Sequence, residues 1–235
     1  MKRLLLVPIL VLWPALASAD MALDFYREGV KLGNENKVEE ALSKFQKSVM
    51  LEPKVFMYQL KLGYAYEMLG RLPEARATYE AALRLRGGAD AFRAHNGLGN
   101  VLRRTRLFDL AEAEYLTVLK SKPKFADAMN GLGVLYAETE RFDKAAEWYA
   151  KSFKADPKDE EAAFKAANVS WRMKKYDDAI GWYRKAIDLK PDYIDARFGL
   201  GLALKEKGDT EGAKVELKKA CDGGVKQACK HLFQL

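Results

Sequence analysis

The chain is poor in the residues that most often carry chemistry. Its 235 residues include two histidines, His95 and His231, and two cysteines, Cys221 and Cys229. The histidines lie far apart in sequence, which excludes the paired-histidine motif of a metalloprotease helix. Ser43, Ser48, Ser121, Ser152 and Ser170 stand in no G-x-S-x-G context, so no nucleophile elbow is present. A phosphate-binding loop and a dinucleotide glycine pattern are both missing; Gly97 and Gly99 sit inside a helical pattern. Carboxylate pairs such as Glu160–Glu161 fall at helix starts, where they aid solubility and complement the helix dipole. With no site pattern to support catalysis, the reading is a non-enzyme that needs no cofactor and no resident metal.

Long apolar runs are equally scarce. Only the first residues hold one: Lys2 and Arg3 precede LLLVPILVLW, and PALASAD follows, with Ala17 and Ala19 in an A-x-A arrangement. A basic start, a short apolar run and small residues at −3 and −1 predict a secretory signal peptide over residues 1–19. The alternative is a retained membrane anchor, but the run, broken by Pro8 and Pro14, falls short of the ~20 residues that span a bilayer. The residue after the cleavage point is Asp20 and not cysteine, so a lipid anchor is not indicated. The mature chain would begin at Asp20, periplasmic or secreted, with no transmembrane span. Removing Lys2 and Arg3 leaves 38 basic residues against 33 acidic, a formal charge of +5. The charges are interspersed and mild, as on a solvated helical exterior, and nucleic acid is not an expected partner.

What the chain has in abundance is repetition. Gly29, Gly63, Gly99, Gly133 and Gly201 keep step, with Ala167 in the remaining place, at intervals of 34, 36, 34, 34 and 34 residues. Ala41, Ala75, Ala111, Ala145, Ala179 and Ala213 share the beat. So do Phe45, Tyr79, Tyr115, Tyr149 and Tyr183, with Leu217 last. Pro53, Pro123, Pro157 and Pro191 close the units; Gly87 and Val225 stand where two more prolines belong. Each unit reads as two helices. Met129, Leu132, Gly133 and Tyr136 are spaced i, i+3, i+4, i+7, and Phe142, Ala145, Ala146, Tyr149 and Phe153 form a second face after the turn ETER. Asp109, Asp143 and Asp177 open second helices, and Pro73 takes the same column, where its missing N–H is harmless. The glycines are expected to let paired helices approach closely, with the aromatics packed over them.

These columns closely resemble the tetratricopeptide repeat family. Leu132-Gly133, Tyr136, Ala145, Tyr149 and Pro157 match its pattern of a small eighth residue, alanine at twenty, an aromatic at twenty-four and proline at thirty-two. The resemblance implies an all-α fold, a right-handed α-solenoid of stacked antiparallel helix hairpins over residues 20–235. Repeats fall at 22–55, 56–89, 92–125, 126–159 and 160–193, with a degenerate sixth at 194–227. Ala89-Asp90-Ala91 is a small insertion.

In this family ligands lie in a concave groove lined by the first helix of each unit, and the resemblance places the site residues there. Those columns hold Tyr26, then Lys61 and Tyr64, then Arg93, Asn96, Asn100, Arg103 and Arg104. Asp127, Asn130 and Glu138 follow, then Phe164, Lys165, Asn168, Trp171 and Arg172, and lastly Asp195 and Phe198. Asparagine carries both a donor and an acceptor, suited to the backbone of an extended peptide; the same residues could instead bridge neighbouring hairpins or hydrate the groove. The arginines suit carboxylates, and Trp171 and Phe164 an apolar side chain. Asn100 and Lys165 belong to the set with which some members clamp a C-terminal carboxylate, but the full set is missing and no clamp is expected.

The segment KKACDGGVKQACKHLFQL resembles Sel1-like repeats, relatives of the same family. That resemblance, in an exported chain, implies a Cys221–Cys229 disulfide pinning a capping helix over about 224–235; the rival is a metal or redox site with His231. The leading functional expectation is a protein-binding adaptor of the cell envelope that holds an extended peptide in its groove. The alternatives are a self-assembling scaffold, with homo-oligomers, or an accessory subunit of a wall-remodelling or polysaccharide-export complex.

Overall fold

The computed structural model describes residues 12–85 and 87–235. Residues 1–11, which hold the basic start and most of the apolar run of the expected leader, lie outside the described residues. Among the described residues the chain is all-α, with thirteen α-helices, one short 3-10 turn and no strand. None of those helices is long and apolar enough to cross a membrane.

The helices alternate as first and second arms of hairpins. They are α1 (Leu12–Asn34) and α2 (Val38–Leu51), α3 (Phe56–Met68) and α4 (Leu72–Arg84), and α5 (Ala91–Arg104) and α6 (Phe108–Ser121). Then come α7 (Ala126–Glu138) and α8 (Phe142–Ala155), α9 (Glu160–Arg172) and α10 (Tyr176–Leu189), α11 (Ile194–Glu206) and α12 (Thr210–Asp222), and last α13 (Lys226–Leu232). Helix α1 runs unbroken through the Ala19–Asp20 junction. The described residues form two compact units, divided between Thr117 and Val118.

One turn design joins the arms of all six hairpins and also joins α12 to α13. The first helix ends in a Schellman motif, in which two backbone N–H groups turn back onto the last carbonyls. In the fourth hairpin, Glu140 N–H bonds Ala137 O at 3.2 Å and Arg141 N–H bonds Tyr136 O at 2.8 Å. The motif requires a left-handed residue. Gly70, Gly208 and Gly224 meet that need without strain, but Asn36, Arg106, Glu140 and Lys174 adopt φ of 57° to 62° with a side chain in place. A left-handed non-glycine costs roughly 1–2 kcal/mol. Glu140→Gly is therefore expected to raise stability by about 0.5–1 kcal/mol in urea unfolding, the gain being trimmed by the entropy of glycine in the unfolded chain. A midpoint that falls would show that Glu140 is not strained.

Small residues hold the two arms together. A Cβ placed on Gly29, Gly63, Gly99, Gly133 or Gly201 would come closer than 3 Å to the side chain of Phe45, Tyr79, Tyr115, Tyr149 or Leu217. Each belongs to the second arm of the same hairpin. The aromatic also reaches forward: the Tyr79 hydroxyl carbon would meet a Cβ on Gly97 at 2.3 Å, and that of Tyr183 one on Gly199 at 2.4 Å. One ring thus fills the gap within its hairpin and the gap to the next. Tyr79, Tyr115, Tyr149 and Tyr183 are buried accordingly, as is every alanine of the matching column.

The insertion between α4 and α5 is the 3-10 turn Gly88–Asp90. Gly87 fits there because a Cβ would overlap the Phe56 ring at 2.2 Å. At the other end, Cys221 and Cys229 form a disulfide that ties α12 to α13. Both sulfurs are consumed in that bond, which removes the thiolates a metal site with His231 would need.

Candidate functional site

Each unit carries a hollow lined chiefly by first-arm residues. In unit one it measures about 530 Å³. Tyr26 and Val30 enter from α1, Leu60, Lys61, Tyr64 and Glu67 from α3, and Arg93, Asn96 and Asn100 from α5, with Tyr79 as floor. The spacing explains the convergence: along each first arm most of these residues stand three, four or seven positions apart, which brings them to one side of the helix.

The polar groups here are strongly tied to one another. Glu67 is the centre. Its Oε2 accepts from the Tyr79 hydroxyl at 2.8 Å, and Asn100 also bonds its carboxylate. Burial pushes the Glu67 carboxyl above its ordinary value, partly offset by those two bonds and by the charges of Arg104 and Arg103. Burial, with the Glu67 charge beside it, drives the Tyr79 hydroxyl far up. Arg104 Nη1 donates to the Glu67 backbone carbonyl at 3.0 Å. The Asn100 Oδ1 accepts from the Tyr115 hydroxyl at 2.8 Å. Asn100, expected to offer both ends to a peptide, thus spends both inside the protein.

A raised carboxyl pKa has a definite sign for stability. The folded state holds its proton more tightly than the unfolded state, so the contribution of Glu67 is complete below the unfolded value. It is lost as pH rises through the folded one. Glu67→Gln removes that loss. The difference in stability, variant minus wild type, should grow more favourable as pH rises above the ordinary glutamate value of 4.5. A difference independent of pH would show that Glu67 titrates normally.

Around this centre, Tyr26 stacks on Tyr58 at 5.0 Å, while Tyr64 is 53% exposed. Arg93 lies over the Phe92 ring at 5.0 Å and pairs with Asp90 at 3.3 Å. Asn96 Oδ1 is buried and has no hydrogen-bond partner among the described residues. His95, the only histidine near this face, is occupied by Glu114 at 2.6 Å. Arg103 and Arg104 flank Glu67 and do not line the hollow.

The hollow of unit two measures about 300 Å³ and is mostly apolar. Phe164, Asn168 and Trp171 of α9 face Asp195, Phe198 and Leu202 of α11, over a floor of Tyr183 and Gly199. Phe164 stacks on Tyr193 at 4.8 Å, and the Tyr193 hydroxyl donates to Glu161. Asn168 Oδ1 accepts from the Tyr183 hydroxyl at 2.6 Å, repeating the Asn100–Tyr115 bond of unit one. Asn130 does not reach this hollow. Its Oδ1 takes the Lys165 ammonium at 3.4 Å, which bridges the fourth and fifth hairpins. Arg172 also turns away, its guanidinium 4.6 Å from the centre of the Phe142 ring.

Of the expected groove residues, then, Tyr26, Lys61, Tyr64, Arg93, Asn96 and Asn100 share one hollow. Phe164, Asn168, Trp171, Asp195 and Phe198 share the other. Glu67 and Tyr79 are among the lining residues not expected. Glu67 falls in the same column as Trp171, so column counting could have found it.

The family models agree with this architecture. The tetratricopeptide repeat model matches residues 26–94, 60–116 and 96–160, and a TPR repeat model matches 172–208. The chain belongs to the tetratricopeptide repeat family. Solved structures with similar folds include YrrB, described as a TPR protein with an unusual peptide-binding site. It is 21% identical, with 81% of this chain and 98% of that one covered and a TM-score of 0.65. PilF of Pseudomonas aeruginosa is 15% identical over 93% of this chain and 100% of its own, with a TM-score of 0.77. MamA of Desulfovibrio magneticus RS-1 is 22% identical over 74% of this chain and 97% of its own, with a TM-score of 0.64. No curated protein matches the chain. The family suggests a protein-interaction role.

Proposed function

We propose that this protein is a non-enzymatic adaptor of the cell envelope that holds an extended segment of a partner protein along its first-arm face. The observation that carries this is the hollow in each unit, lined from equivalent columns and fringed by exposed rings, Tyr64 in one and Trp171 in the other. Concave, mostly apolar hollows with a few fixed polar groups are where ligands bind. The similar YrrB is itself described as peptide-binding. For the compartment, the support is the leader pattern of residues 1–19 and a disulfide, which persists where thiols are oxidised.

The test is capture in intact cells by a photo-crosslinking residue placed at position 64 or at position 171, followed by identification of the captured protein. With the crosslinking residue moved to neighbouring lining positions, 61 in unit one and 202 in unit two, Tyr64→Ala and Trp171→Ala respectively are each expected to lower capture about tenfold, with helicity unchanged because both rings are exposed. Equal capture from positions on the second arms, such as 110, would overturn the reading.

A further inference from the structure

Trp171 differs from its neighbours in what covers its ring. In unit two, Trp182 carries its own cation, the Lys185 ammonium 3.9 Å from the ring centre, and Trp148 carries Lys151 at 4.1 Å. The Trp171 side chain, 37% exposed, makes no ring, cation or hydrogen-bond contact among the described residues. It stands in a hollow with Phe164 and Phe198, and the one charged group lining that hollow among the described residues is an acid, Asp195. The Asp195 carboxylate is exposed and makes no hydrogen bond or ion pair among the described residues. Glu161 and Glu216, by contrast, are held by Lys165 and Arg197.

We propose that this hollow seats an arginine side chain of the bound segment. This rests on the groove reading and names what the groove recognises. Aromatic faces attract cations through their quadrupoles, and more strongly when water is excluded. A guanidinium is flat and weakly hydrated, so it stacks on rings while its edge donates to a carboxylate. Here Trp171 and Phe198 supply faces, and Asp195 supplies the carboxylate one turn before Phe198 on α11. Gly199 keeps the floor open, since a side chain there would overlap Tyr183. The volume of about 300 Å³ corresponds to about ten water molecules at ~30 Å³ each, enough for the alkyl stem and its head group. Among the described residues no basic residue lines the hollow, so no cation stands against the guanidinium at contact range.

The experiment uses the full chain and three small probes: N-acetyl-arginine amide, its neutral isostere N-acetyl-citrulline amide, and N-acetyl-lysine amide. The readout is the indole N–H resonance of Trp171, assigned by its loss in Trp171→Phe. Arginine amide is expected to shift it saturably, with citrulline amide about tenfold weaker. Asp195→Asn should weaken the arginine probe about tenfold and leave the citrulline probe unchanged. Equal binding of arginine and citrulline, undiminished arginine binding by the Asp195→Asn variant, or an unmoved resonance would each overturn the proposal. Lysine amide binding as tightly as arginine would overturn the guanidinium assignment. If the probes fail while crosslinking from position 171 still captures a partner, this inference falls and the groove reading stands.

Discussion

Gly133→Leu is expected to destabilise the protein by about 3 kcal/mol or more and to broaden its urea transition. The first methyl alone is crowded: a Cβ at 133 would sit 2.6 Å from two carbons of the Tyr149 ring. That ring is almost fully buried, so it has nowhere to retreat within the hairpin. Helix propensity favours leucine over glycine by about 1 kcal/mol, which the overlap outweighs. The fifth hairpin sets the scale for a smaller change. There the same column holds Ala167, fully buried, with Tyr183 as its aromatic. One methyl can therefore be housed once the ring has shifted, and Gly133→Ala should cost only about 1 kcal/mol. The control is Tyr149→Leu, which vacates the ring. Combined with Gly133→Leu it should be less damaging than the two single costs added together. Leu217 opposite Gly201 is a natural instance of an aliphatic residue in that place. Additive costs would mean that the two positions do not compete for the same space.

The hairpins and their contacts are legible in the sequence because they depend on spacing. A small residue, an alanine and an aromatic recurring at a fixed interval can bury their faces only against one another, and spacing survives without coordinates. Side-chain hydrogen bonding is different, because it depends on which of several reachable partners wins. Asn100 and Asn168 stand in the expected column, yet the tyrosine hydroxyls of their own hairpins take their oxygens. A buried phenol without an acceptor costs more than an exposed amide without one, so the tyrosine has first claim. Glu67 escapes notice although its column is plain, since a lone carboxylate on a helix reads as a solvated charge. Only its burial, and the hydrogen bonds from Tyr79 and Asn100, change that. Arg172 shows the converse. Its column points to the groove, but the Phe142 ring offers its long side chain a nearer seat. The left-handed residues Arg106, Glu140 and Lys174 are also hidden, because nothing in an Arg, Glu or Lys marks a position with positive φ.

Replacing both Cys221 and Cys229 with serine is expected to cost about 2–3 kcal/mol, the chain-entropy value for so short a loop. The loss should fall on the C-terminal end of unit two. Helix α13 has seven residues, too few to persist on hydrogen bonds of its own. What holds it is Ala228, fully buried against the last core cluster, the turn at Gly224 with φ of 96°, and the covalent bond. A terminal hairpin has no successor to cover its outer face, and α13 supplies that cover. Without the bond, amide exchange should accelerate in α13 and the end of α12, while α7 and α8 keep their protection. The same change reaches the hollow, because the His231 ring of α13 lies 6.0 Å from that of Phe198. When α13 frays, Phe198 loses its backing, and binding of the arginine probe should weaken along with the exchange protection. Unchanged exchange in α13 after the double substitution would show that Ala228 and the turn suffice, and that the bond adds nothing to the cap.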